Sequence, residues 1–403
     1  MSTALHTVLC DKLGCRYPIV QTAMGWVADS KLVTATSNAG GFGFLAAATM
    51  STDLLRSEIA AVRAATTANF GVNFHMFQPN ASEVIELVLQ NADRVRAVSY
   101  GRGPSAAIIK RFKDAGVLCM PTVGALKHAL KAVELGADVI TVQGGEGGGH
   151  TGSVPTTLLL PQVLDAVKVP VVAAGGFYNG RGLAGALAFG ASGIAMGTRF
   201  LMTSDSPVPA ATLQKYVAVK EASHIRASTA VDGMPQRMID NPFLLRLERG
   251  GLLRRLFVAL SSAWAWRAHT GMSVGHMAKT FFAALREGDG AIQTMMAANA
   301  PVLIQRAMVD GRPDEGVLPS GQVAANIQSL PSVAELIQSI VVSAEKQLAA
   351  LAPLSPAFGR AGDCPTAVPS KPNASPASGR EESAFPLPLA GEGAPKGRER
   401  GHF

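Results

Sequence analysis

The chain has 403 residues, 48% of them hydrophobic and 16% charged, so it can bury a large core and is neither disordered nor fibrous. Its net charge of +7 is concentrated, because residues 211–300 hold 11 Lys+Arg against 6 Asp+Glu, a difference of +5. No basic stripe interleaved with aromatics accompanies this excess, so an anion-steering surface is expected rather than a nucleic-acid site. Cys10, Cys15, Cys119 and Cys364 form no C-x-x-C pair and show no zinc spacing, which fits free thiols in a cytoplasmic chain with no metal site. No leader pattern and no uninterrupted apolar run of about 18 residues is visible, so a membrane span is not expected.

In chain order, β-type runs are predicted at 18–21, 42–45, 70–74, 96–99, 117–122, 139–143, 170–174 and 193–196. Most are continuously apolar, as strands buried on both faces should be. Helices are predicted between them. Asp29 or Ser30 caps one that ends at Gly40-Gly41, Ser105 caps one that stops near Gly116, and 127–135 is amphipathic and closes at Gly136. Eight strands alternating with helices predict a TIM-type (β/α)8 barrel over residues 1–205. Residues 206–300 read as a helical cap or insertion without β runs. Residues 301–351 read as helices returning to the barrel wall, periodic over 332–347. The Pro/Gly/Ser-rich segment 352–403 reads as a disordered tail.

The most specific motif is Gln143-Gly-Gly-Glu-Gly-Gly-Gly-His150, directly after the sixth strand. Glycines there allow close backbone approach to a ligand and expose N–H donors. His150 falls at the strand C-terminal face of the barrel, where active-site groups gather, and imidazole is a side chain suited to proton transfer. Gly175-Gly176 after strand seven and Gly197-Thr198 after strand eight occupy the usual phosphate position of such barrels. His75 follows strand three and can line the same pocket. No dinucleotide fingerprint, HExxH, GxSxG, P-loop or paired-carboxylate pattern is present, which disfavours the chemistries those motifs carry.

Six stretches (Pro18-Ile-Val-Gln-Thr-Ala-Met24-Gly-Trp26, Asn38-Ala-Gly-Gly41, Phe70-Gly-Val-Asn73, Gln143–Gly152, Ala173-Ala-Gly-Gly-Phe177 and Met196-Gly-Thr-Arg-Phe200) resemble the nitronate monooxygenase family. Ser320-Gly-Gln322 extends the similarity weakly. The resemblance implies non-covalently bound FMN and oxidation of a small nitronate by O2 to a carbonyl compound and nitrite. It implies that Ala23 and Met24 lie by the isoalloxazine and that Asn73 and Gln143 hydrogen-bond it. Gly148, Gly176, Ala195, Met196, Gly197 and Thr198 would hold the ribityl-phosphate end, and His150 would be the base or the group that orients substrate near flavin N5. Thr122 stands where some relatives have lysine. Flavin-dependent enoyl-acyl-carrier-protein reductase II shares the Gly-Gly-His segment and is a competing reading, as is a non-catalytic flavin-binding sensor or scaffold.

Overall fold

A computed structural model describes residues 5–351, apart from 77, 102, 252–256, 260, 263, 265–274 and 276–298. The chain divides into residues 1–353 and 354–403. The second unit, the tail expected at 352–403 and much of the expected cap lie outside the described residues.

The strands are β1 (Ile19–Gln21), β2 (Phe42–Ala46), β3 (Phe70–His75), β4 (Val95–Gly101), β5 (Leu118–Cys119), β6 (Thr122–Val123), β7 (Ile140–Gln143), β8 (Gly149–His150), β9 (Val171–Ala174), β10 (Gly193–Met196), β11 (Ile225–Ser228) and β12 (Gln236–Ile239). Nine of them form one parallel sheet in the order β5-β4-β3-β2-β1-β10-β9-β7-β6. Its two ends, β5 and β6, are halves of one chain segment separated by Met120 and Pro121. Pro121 has no N–H to donate, yet the ladder runs through this break. Met120 N–H donates to the Val98 carbonyl at 2.8 Å, and Thr141 N–H donates to the Pro121 carbonyl at 2.9 Å. The sheet is therefore closed, and the eight predicted strands form a (β/α)8 barrel.

Alternation of side chains along the strands divides the core. Val20, Phe42, Phe44, Ala97, Met120, Val139, Val172, Ala174 and Ala195 cluster together, with Leu9 and Leu13 of the first helix (Val8–Leu13) packed among them. Ile19, Ile140, Val142, Val171, Ala173 and Ile194 instead pack outward against helices. The capping signals largely stand. Asp29 accepts the Leu32 N–H at 3.0 Å ahead of helix Ser30–Asn38. Ser105 precedes helix Ala106–Asp114 without a side-chain bond. Gly136, past helix Leu126–Glu134, has φ +105°.

The eighth helix of the wall is Val333–Leu351, which packs against helices Gly180–Ala188 and Ser30–Asn38. The barrel is thus completed by the far end of the chain, and an insertion separates β10 from its helix. The sequence suggested no strands in that insertion; the structure contains two. β11 and β12 form an antiparallel sheet with β8, in the order β11-β12-β8. Ala230, Val231, Met238, Leu244, Leu247, Ala300, Leu303 and Val317 make a separate small core beneath it. Ile-Arg-Ala-Ser and Gln-Arg-Met-Ile are too short and mixed for a period-two signal; pairing with β8 stabilises them. Among the described residues no helix is long and apolar enough to cross a membrane.

Candidate active site

The apolar interior gives way to polar side chains toward the C-terminal ends of the strands. Asn73 on β3, Ser99 on β4 and Gln143 on β7 fall at alternate positions from the interior residues of their strands. The Asn73 side chain donates to the Ser99 carbonyl at 3.0 Å. Gln143 Nε2 donates to the His150 carbonyl at 3.1 Å, which ties the start of the glycine loop to its end. Each carboxamide retains a second N–H and its oxygen for a ligand. Thr122 is half-buried on β6, opposite Thr141.

The glycines of this loop have different neighbours. A Cβ on Gly144 would stand 2.0 Å from Thr156 Oγ1, and one on Gly148 would stand 2.6 Å from the Gly321 nitrogen. At both positions a side chain would collide with the protein's own atoms. Other groups pin the loop. The Glu146 carboxylate accepts the Thr156 N–H at 3.0 Å and its hydroxyl at 2.8 Å, at the start of helix Thr156–Ala166. Arg237 Nε donates to the Gly145 carbonyl at 2.8 Å, and Gln322 N–H donates to the Glu146 carbonyl at 3.0 Å.

β9 and β10 are neighbours in register, Ala174 opposite Ala195, so the two glycine turns that follow them lie side by side. Gly175 and Gly176 both have φ +86°. Beside Gly176 a Cβ would meet nothing closer than Glu146 at 3.9 Å. Gly197 precedes the short turn of helix Thr198–Leu201 and caps it with no side-chain bond, so its first N–H groups have no partner within the helix. Thr198 Oγ1 accepts the Gly321 N–H at 2.9 Å, leaving its own hydrogen to donate. Arg199 is buried, and burial alone pulls its guanidinium down to about 10. Its Nε has no hydrogen-bond partner among the described residues. Its Nη2 donates to the Met202 carbonyl at 2.5 Å and to the Ser329 carbonyl at 3.0 Å, so the guanidinium is tied to backbone and the free helix N–H groups are what favour an anion here. Buried Ala195 and Met196 form the strand beneath this turn.

Ala23 and Met24 follow β1 on the same side. Met24 Sδ lies 3.5 Å from where a side chain on Gly197 would begin, so the β1 and β10 turns touch. Trp26 closes this loop with φ +66°, unusual for a non-glycine residue. Its Nε1–H donates to the Pro301 carbonyl at 3.1 Å, and its N–H donates to Thr49 Oγ1 at 3.2 Å.

His150 has an acidic partner that sequence reading missed. Its Nε2 lies 2.8 Å from Asp232 Oδ2, with side-chain exposures of 50% and 5% respectively. Asp232 also accepts from Gln236 Nε2 at 2.5 Å and from the Met234 N–H at 3.1 Å. The register places His150 opposite Gln236, and Gly233, with φ +85°, makes the Asp-Gly turn that presents the carboxylate. That turn was the available signal, but its partner is 82 residues away. His75 lies close enough to His150 to feel its charge, and burial holds its ring below the ordinary histidine range. The shift favours its neutral form.

The sequence profile described as nitronate monooxygenase matches residues 6–343. A curated relative from Rhodococcus jostii, (3aS,4S,5R,7aS)-5-hydroxy-7a-methyl-1-oxo-octahydro-1H-indene-4-carboxyl-CoA dehydrogenase, is 46% identical, covering 88% of this chain and 99% of the relative. A probable nitronate monooxygenase from Staphylococcus aureus is 31% identical over 59% of this chain and 79% of its own length. Among solved structures, FabK from Thermotoga maritima superposes with a TM-score of 0.71 at 27% identity, covering 87% of this chain and 99% of FabK. With the profile matching residues 6–343 and a relative 46% identical over nearly its whole length, the chain is an oxidoreductase that belongs to the nitronate monooxygenase family.

Proposed function

We propose that this protein is an FMN-dependent dehydrogenase that oxidises a ring hydroxyl of a bulky alicyclic acyl-CoA thioester. The observation that carries this reading is the 46% identity over 99% of the Rhodococcus relative. That relative's name places a hydroxyl on the ring carbon next to the one bearing the thioester. The basic excess of residues 211–300 suits attraction of the anionic CoA moiety.

The residues present fit FMN. The Gly176 and Gly197-Thr198 turns would hold its phosphate, while Asn73 and Gln143 would meet the polar edge of its ring and Ala23 and Met24 a face. When bound, the flavin supplies the two-electron acceptor for the hydride leaving the carbinol carbon. His150, backed by Asp232, takes the hydroxyl proton. An alcohol is too weak an acid to ionise unaided at neutral pH, so this reaction requires such a base. A nitronate arrives already deprotonated and does not.

Nitronate oxidation with O2 is the second reading, favoured by the family profile and the Staphylococcus relative. Steady-state assays with a 3-hydroxy alicyclic acyl-CoA and an artificial electron acceptor to reoxidise the flavin, and in parallel with an alkyl nitronate and O2, separate the two. Conversion of the thioester to its ketone, with little nitrite from the nitronate, is the expected result. Rapid nitrite release with an untouched thioester would overturn it. Gly176→Val is expected to lower the FMN content of the purified protein, since a β-branched residue is strained at φ +86°. Flavin released on denaturation measures this, and a fully loaded variant would move the phosphate elsewhere.

A further inference from the structure

We propose that Nδ1 of His150 is the atom that accepts the substrate's proton, and that Asp232 is a positioning residue, supplied by the insertion, that keeps the ring's own proton on Nε2. The substrate in this statement rests on the dehydrogenase reading; the state of the ring does not.

Three donors converge on Asp232: His150 Nε2 at 2.8 Å, Gln236 Nε2 at 2.5 Å and the Met234 N–H at 3.1 Å. A carboxylate can only accept, so the hydrogen shared with His150 belongs to the ring. A neutral imidazole carries one N–H, and placing it on Nε2 leaves the lone pair on Nδ1. Asp232 is 5% exposed and His150 50%, so the Nε2 edge is buried in the pair and the opposite edge is open. The backbone holds this arrangement at both ends. His150 is opposite Gln236 in the β8–β12 register, and its carbonyl is held by Gln143. Asp232 follows buried Ala230 and Val231, and the Val231 carbonyl accepts from the Asn299 side chain at 2.9 Å. The ring neither flips nor swings without breaking the pair. In the reaction the hydroxyl O–H bond breaks toward Nδ1, the carbinol C–H pair leaves as hydride to the flavin, and the carbon becomes a ketone. The resulting imidazolium is offset by the buried carboxylate it already touches.

The test is long-range 1H–15N correlation on histidine-labelled holoenzyme above the ordinary histidine pKa, with His150 assigned by its loss in His150→Gln. The expected signature is the Nε2–H tautomer. In Asp232→Asn the carboxamide can turn its NH2 toward His150, so the Nδ1–H tautomer is expected to appear. Oxidation of the hydroxyacyl thioester should then fall about 10²–10⁴-fold with FMN content unchanged. Asp232→Glu, which keeps the carboxylate, should recover part of the rate. A wild-type ring protonated on Nδ1, or an Asp232→Asn enzyme with full activity, would overturn the proposal. Should Asp232→Asn fail to fold, the wild-type tautomer still decides. Rejection of the thioester by the wild type would remove the substrate reading and leave the tautomer result standing.

Discussion

His150→Ala is expected to lower the rate of hydroxyacyl thioester oxidation by about 10²–10⁴-fold, the usual span for loss of a general base, while FMN content and melting temperature stay near the wild type. The side chain is half exposed, so its removal leaves no core cavity. Asp232 keeps two of its three donors, Gln236 and the Met234 N–H, so its buried charge is not stranded. The pattern of the loss is informative. A residue that acts only in the transition state lowers kcat and kcat/KM together, whereas one that only binds substrate raises KM. Parallel falls in both constants are expected. A rise in KM with kcat intact would make His150 a binding residue and leave the proton acceptor elsewhere.

Gly180→Ala is expected to destabilise the fold by about 1–3 kcal/mol, the cost of overpacking a close contact. Gly180 begins the helix that follows β9, and a Cβ there would lie 2.4 Å from the Ile340 carbonyl oxygen, 2.5 Å from the Ala344 nitrogen and 2.6 Å from Ser343 Cβ. Two of these are backbone atoms of the last helix, which can yield only by moving as a unit. Gly185, five residues on in the same helix, has nothing within 4 Å of its would-be Cβ. Gly185→Ala should therefore stabilise by about 0.5–1 kcal/mol through helix propensity alone. Denaturant midpoints of the two variants should move in opposite directions. Equal shifts would mean that the C-terminal helix does not seat against the barrel at Gly180.

The barrel was legible because its strands are short apolar runs punctuated by glycine, a pattern set by burial on both faces. Gly176 and Gly197-Thr198 were legible for a similar reason, since a turn after a buried strand has few chemical solutions. Other features depend on partners remote in the chain. The break at Pro121 is invisible until β5 and β6 are seen to serve different neighbours. The packing of Gly148 against Ser320–Gly321 joins segments more than 170 residues apart and has no local signal. Glu146 carries no motif of its own beyond the glycines around it, but its carboxylate anchors the loop to Thr156. Asp232 is the clearest case. Its local sequence announces a turn, and only the pairing of a two-residue strand with the insertion brings that turn to His150.

On the dehydrogenase reading the site takes electrons from a ring alcohol whose proton His150 removes. Anaerobic mixing of the FMN-loaded protein with a 3-hydroxy alicyclic acyl-CoA, followed by flavin absorbance, tests it most directly. The thioester alone is expected to bleach the flavin in one turnover with one ketone formed per flavin, and His150→Ala to bleach far more slowly. A flavin that stays oxidised with the thioester yet is reduced at once by an alkyl nitronate would contradict it.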